Sequence, residues 1–128
     1  MDVRKQKQGM ENRLLGRWGE AIVAEDLRKK GWRIAAAGYR CRLGEIDLVA
    51  SNGRFLAFVE VKLRKNSVYG TAGEAVDRRK QGRIRAAAQL YLAQHPSDLQ
   101  PRFDIAEVYA PRGMETPAPQ ISYIENAF

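Results

Sequence analysis

GEIDLVASNGRFLAFVEVK, residues 44–62, carries two apolar runs on either side of Ser51-Asn52-Gly53-Arg54. Asn-Gly is the dipeptide a type I′ turn asks for, because both central residues take positive φ, so the stretch predicts a β-hairpin. A two-residue loop at Asn52-Gly53 sets Ser51 opposite Arg54, Asp47 opposite Phe58 and Glu45 opposite Glu60. Opposed and alternate residues of an antiparallel pair share one sheet face. Glu45, Asp47, Glu60 and Lys62 then gather on one side with Val49, Leu56 and Phe58. Loop parity decides this, since an odd loop without a bulge turns Asp47 to the other face.

Carboxylates crowded beside apolar residues need a cation, a raised pKa, or both. A hard divalent ion such as Mg²⁺, or Mn²⁺ in its place, suits carboxylate oxygens and holds waters able to attack a phosphodiester. Lys62 lies two residues beyond Glu60 on the same face, placed to orient or deprotonate such a water or to stabilise charge on a phosphate. The same residues also read as a solvated, ion-paired sheet face. Phe55 to Val59 argues against that, because a run apolar on both faces belongs to a strand covered on both sides.

Asp47, twelve intervening residues and Glu60-Val61-Lys62 resemble the D…(D/E)-x-K core of the restriction-endonuclease-like nucleases. The longer string, Gly-Glu-Ile-Asp-Leu followed by Phe-Val-Glu-Val-Lys, is similar to the bacterial YraN family, related in motif to archaeal Holliday-junction resolvases. The resemblance covers about residues 13 to 109. It implies a restriction-endonuclease-like α/β domain, a single mixed sheet flanked by helices, that hydrolyses DNA with a metal. Asp47 and Glu60 would hold the metal with a backbone carbonyl near Val61, and Lys62 would complete the catalytic set. The Gly16-Arg-Trp-Gly-Glu-Ala21 string is similar to the family's first helix, where related resolvases place a further glutamate, here Glu20. Gln81 resembles the polar helix residue that often follows the ExK strand, and Glu45 is a third accessory residue or a partner of Arg42. Two positions depart from the family pattern, Gly38 for an asparagine and Leu63 for a small polar residue.

The 128 residues fit one domain, and a net charge of +7 points to a polyanionic partner. One cysteine, Cys41, excludes an intrachain disulfide, and one histidine, His95, excludes a His-rich zinc site. There is no Gly-rich phosphate loop, no apolar run that spans a bilayer and no leader-like h-region, so the chain reads as cytoplasmic, without a membrane partner. An enzyme built from this inventory works with carboxylates and lysine.

Residues 1–9 read as a flexible basic tail and 10–128 as the folded domain. Helical spacing of Leu14, Leu15, Trp18, Ala21, Ile22 and Leu27 predicts a helix from Met10 to Lys30, ended by Gly31. Residues 32–37 form a strand, and Arg40 and Arg42 sit in the turn region beyond it. Thr71 to Glu74 is a capping-box pattern for a second helix reaching Gln94, with Ile84, Ala87, Ala88, Tyr91 and Leu92 as its core stripe. Strands follow at 102–110 and 120–125, the last at an edge.

From Lys62 to Arg85 there are eight basic residues and two acidic ones. Positive charge beginning at the carboxylates is what holding a DNA strand there requires. Arg40, Arg42, Arg64, Lys65, Arg78, Arg79, Lys80 and Arg83 are the candidate contacts. The resolvase relationship points to branched DNA and a homodimer. Two other readings stand beside the endonuclease: a non-catalytic nucleic-acid-binding module that keeps the fold, and an interaction protein whose basic face meets an acidic partner.

Overall fold

A computed structural model describes residues 3–66 and 76–128. Helix α1, Val3–Lys29, leads into strands β1, Arg33–Cys41, β2, Gly44–Ser51, and β3, Phe55–Arg64. Helix α2, Arg78–Gln94, then precedes β4, Gln100–Tyr109, a short 3₁₀ turn and β5, Gln120–Ile124. The five strands form one mixed sheet in the order β1-β2-β3-β4-β5. β3 and β4 are parallel, because α2 carries the chain back between them, and every other pair is antiparallel. This is a single α/β domain of the restriction-endonuclease-like kind.

Each sheet face carries its own core. Val49, Leu56, Phe58 and Ile105 pack with Ile84, Ala87, Ala88 and Tyr91 of α2. Leu48, Ala50, Val59 and Ala106 pack with Val23, Ala24 and Leu27 of α1. The run from Phe55 to Val59 therefore has cover on both sides. Ile84, Ala87, Ala88 and Tyr91 are the expected α2 stripe, and Leu92 is partly buried against the same core.

The hairpin forms, with its turn one residue later than the Asn-Gly reading places it. Asn52 is not in the positive-φ region, whereas Gly53 has φ +89°. The Asn52 side chain instead accepts the amides of Arg54 and Phe55 at 3.0 and 2.8 Å. A positive-φ glycine at the first central position is the type II′ pattern rather than type I′. The register becomes Ser51–Leu56, Val49–Phe58 and Leu48–Val59, so Val49 and not Asp47 faces Phe58. Asp47 and Glu60 come next along the two strands.

Three further boundaries differ. Residues 3–9 are helical rather than a tail, and α1 stays exposed through Leu14 except at Gly9. Its buried residues are Gly19, Val23, Ala24 and Leu27, a stripe rotated from the expected one, with Leu14 and Ala21 facing solvent. Gly19 is the reason: a Cβ there would stand 3.1 Å from Leu63, so the helix comes down on β3 along its glycine. The C-terminus of α1 closes as expected, with Gly31 at φ +90° and the Trp32 amide 2.9 Å from the Leu27 carbonyl. β1 continues to Cys41, which puts Arg40 in a strand and not in a turn. Among the described residues α2 starts at Arg78, with Asp77 as its cap; Thr71 to Glu74 lie outside them. No helix among the described residues is long and apolar enough to cross a membrane.

Candidate active site

Face alternation breaks where β1 passes β2. Leu48 and Ala50 belong to the α1 side and Val49 to the α2 side, yet Ile46 also packs on the α2 side. Opposite this skip lies Gly38, at φ +66°. A positive-φ glycine lets a strand change its pleat without straining a Cβ. Asp47 sits at the skip and turns toward β3, where its Oδ2 accepts the Val61 amide at 2.8 Å. That bond stands where the next strand-to-strand contact would be, beyond the last paired residues, Leu48 and Val59.

Glu60 is only 7% exposed. Its Oε1 lies 2.6 Å from Lys80 Nζ and 3.5 Å from Lys62 Nζ. Burial, then the adjacent Glu60, push the Asp47 carboxyl up from 3.8 to about 7, against the pull of the Val61 amide; Glu20 adds to the rise. Burial lowers the pKa of Lys62, as does its amine's contact with Lys80, and Glu60 opposes both. Burial is the largest single influence on Lys80 and works against its charge, but the bonds to Glu60 and Lys62 with the charges of Glu60 and Asp47 together leave its pKa raised. Glu20, on α1, is raised by burial and then by the charges of Glu45 and Glu60, against Arg40 and Arg17. Asp47, Glu60, Lys62, Lys80 and Glu20 are thus one electrostatic unit drawn from both helices and both hairpin strands.

A family model described as "Uncharacterised protein family UPF0102" matches residues 19–108, a span that holds every one of these side chains. The chain belongs to the UPF0102, or YraN, family. A UPF0102 protein of Alkaliphilus metalliredigens is 44% identical over 115 residues, 89% of this chain and 96% of that protein. One from Symbiobacterium thermophilum is 50% identical over 98 residues, 76% of this chain and 83% of that protein. One from Pelotomaculum thermopropionicum is 43% identical over 117 residues, 91% and 96% of the two chains.

The other candidate residues of this UPF0102 chain are distributed unevenly. Glu45 pairs with Arg40 at 3.3 Å, not with Arg42, and both partners are largely exposed. Gln81 spends its side-chain amide on the Val76 carbonyl at 2.9 Å, steadying the entry to α2. Arg40, Arg79, Lys80 and Arg83 line a cleft of about 650 Å³ between the start of β2 and α2. Gly44, in that lining, lets α2 approach the start of β2 closely, since a Cβ there would meet the Arg83 carbonyl oxygen at 2.9 Å. Arg42, Lys65 and Arg78 are exposed outside the lining, and Arg64 is half-buried, 3.6 Å from Glu107. A second groove, lined by Arg13, Arg17, Glu20, Arg40 and Asp47, runs along α1.

Lys80 is the residue whose place the sequence hides. It reads as one more cation of a basic helix turn, whereas its amine lies directly on Glu60. Asp104 is bound by Arg102 at 2.9 Å and by the Asn126 amide at 2.9 Å. His95 caps α2 and packs its ring tilted against Tyr91 at 4.6 Å, away from the chemistry.

A divalent cation fits this donor set. Among the described residues no three His, Cys, Asp or Glu side chains come together as a metal cluster, so the site offers two carboxylates and nearby backbone. Asp47 keeps Oδ1 clear of its bond to Val61, and its pKa is raised by burial and then by the charge of Glu60, both of which a bound dication would offset.

Proposed function

We propose that this protein is a metal-dependent endonuclease that hydrolyses DNA phosphodiester bonds. The observation that carries this reading is the meeting of Asp47, Glu60 and Lys62 at the end of a buried hairpin, with Asp47 pushed up to about 7. Lys62 and Lys80 pair with Glu60, but among the described residues no lysine contacts Asp47, whose only close partner there is the Val61 amide, so the pair keeps a carboxylate that a metal would suit.

Asp47 and Glu60 would hold Mg²⁺ or Mn²⁺, together with the Val61 carbonyl. When bound, such an ion supplies Lewis acidity at a phosphate oxygen and acidifies water. Every other task falls to the chain. The Val61 amide fixes the rotamer of Asp47, and the covered strand fixes Glu60. Lys62, its pKa lowered by burial and by Lys80, takes the proton of the attacking water at Nζ. Arg40, Arg79 and Arg83 hold the phosphates that flank the scissile bond along the cleft beside α2. Glu20 faces the same carboxylates from α1 and serves as an accessory acid.

The test is cleavage of labelled duplex, single-stranded, flap and four-way-junction DNA with Mg²⁺, Mn²⁺ or EDTA. Metal-dependent cutting that EDTA abolishes supports the endonuclease and ranks its substrates. Salt-sensitive binding with no cutting in any metal would favour a binding module that keeps the fold.

A further inference from the structure

The tightest contact in the site belongs to a residue the nuclease reading does not need. Lys80 Nζ lies 2.6 Å from Glu60 Oε1, whereas Lys62 lies 3.5 Å away. The Lys80 side chain is 41% exposed and the Glu60 side chain 8%, so the lysine reaches in from the cleft toward a fixed carboxylate. Its backbone is fixed as well: the Lys80 amide donates to Asp77 Oδ1, the cap of α2, at 2.9 Å.

This placement runs against local preference. The first turn of a helix favours acidic side chains, because its exposed amides carry partial positive charge. The first turn of α2 has none and carries Arg78, Arg79 and Lys80 instead. The Glu60 carboxylate compensates Lys80 for that position. An ammonium and a divalent cation cannot share one carboxylate oxygen at full strength, since their charges repel at bonding distance.

We propose that Lys80 is the resident counter-ion of Glu60, which a divalent cation must displace in order to load, releasing the lysine into the cleft lined by Arg79 and Arg83. The proposal rests on Asp47 and Glu60 being the metal ligands. In the metal-free protein Lys80 neutralises a carboxylate that would otherwise lie buried beside Asp47. Once displaced, it stands among arginines that suit a phosphate.

The experiment is calorimetric titration of the full chain with MnCl₂, without nucleic acid, on wild type, Lys80→Met, Lys80→Arg and Glu60→Gln. Lys80→Met is expected to bind Mn²⁺ about tenfold tighter, the effect of removing one competing charge-assisted hydrogen bond. Lys80→Arg keeps a competing cation and gains nothing, and Glu60→Gln loses the binding. In parallel, the Lys80 side-chain nitrogen signal of the wild-type protein should shift as Mg²⁺ is added, a readout independent of whether the variants fold. Mn²⁺ binding that Glu60→Gln abolishes but Lys80→Met leaves unchanged or weaker, or a Lys80 signal indifferent to Mg²⁺, overturns the exchange and leaves the metal site standing. No Mn²⁺ binding by wild type or Lys80→Met sinks the metal site and the exchange together.

Discussion

Asp47 Oδ2 accepts the Val61 amide at 2.8 Å, so the first carboxylate of the site is tied to the strand that carries the second. The hydrogen bond from the residue next to Glu60 holds Asp47 against β3, one residue along from the second acid. Burial and Glu60 then leave Asp47 at about 7 instead of 3.8.

That shift makes stability depend on pH. Between about pH 4, where an unfolded aspartate titrates, and about pH 7, the folded protein holds a proton that the unfolded chain has lost. Stability therefore falls as pH rises through this window, and the full penalty is present above it. Asp47→Asn keeps an acceptor for Val61 and removes the penalty. Its melting temperature at pH 8 without metal should exceed wild type by about 4 °C, with no gain at pH 4. Mg²⁺ at pH 8 should raise wild type and leave the variant where it is. Thermal melts across pH check all three.

Gly44 and Gly19 are both close-approach glycines, and they should differ in cost. A Cβ at Gly44 would stand 2.9 Å from the Arg83 carbonyl oxygen, which moves only with α2. At Gly19 the neighbour is the Leu63 side-chain end at 3.1 Å. Gly44→Ala should cost about 1–3 kcal/mol in chemical denaturation, as overpacking against a fixed group does. Gly19→Ala should stay within about 1 kcal/mol, because the helix propensity of alanine offsets the Leu63 adjustment.

Asp104 holds structure and not chemistry. Arg102 grips both its oxygens, at 2.9 Å through Nε and 2.9 Å through Nη2, and the Arg102 side chain is only 11% exposed. Asp104→Ala leaves that guanidinium without its main partner, a loss of about 3 kcal/mol. Metal binding per folded molecule should be unchanged in calorimetry.

Arg79 and Arg83 line a cleft with Lys80, whose amine reaches Glu60. Replacing both by alanine should weaken DNA binding across all sequences. The slope of log affinity against log salt should shrink by about 2 for a duplex, close to one counterion for each lost phosphate contact. Binding isotherms at several salt concentrations measure it, and an unchanged slope would place the strand elsewhere.

The hairpin shows which features a sequence states locally. Asn52-Gly53 announced a tight turn, and the turn formed one residue later with the same two-residue length, so parity held and Asp47 still meets Glu60. The exact pairing was not legible, because Asn52 satisfies the turn with its side chain rather than with a positive φ. The skip at Gly38 and Asp47 was hidden for another reason: alternation is broken by a partner strand's glycine, which periodicity along one strand cannot register. Lys80 was hidden most fully. Its meeting with Glu60 depends on the path of α2 back across the sheet, and nothing in Arg78-Arg79-Lys80 separates the third cation from the first two. The α2 stripe from Ile84 to Tyr91 was plain because its partner is simply the apolar sheet face.

The most direct test of the central claim is single-turnover DNA cleavage in Mg²⁺ by wild type and by Lys62→Met, with DNA affinity measured on the same samples. Wild type should cut, and Lys62→Met should bind DNA within a few-fold of wild type while cutting about 100-fold more slowly or worse, the loss of a general base. Lys62→Met cutting at the wild-type rate, or wild type binding DNA without cutting it, would contradict the account.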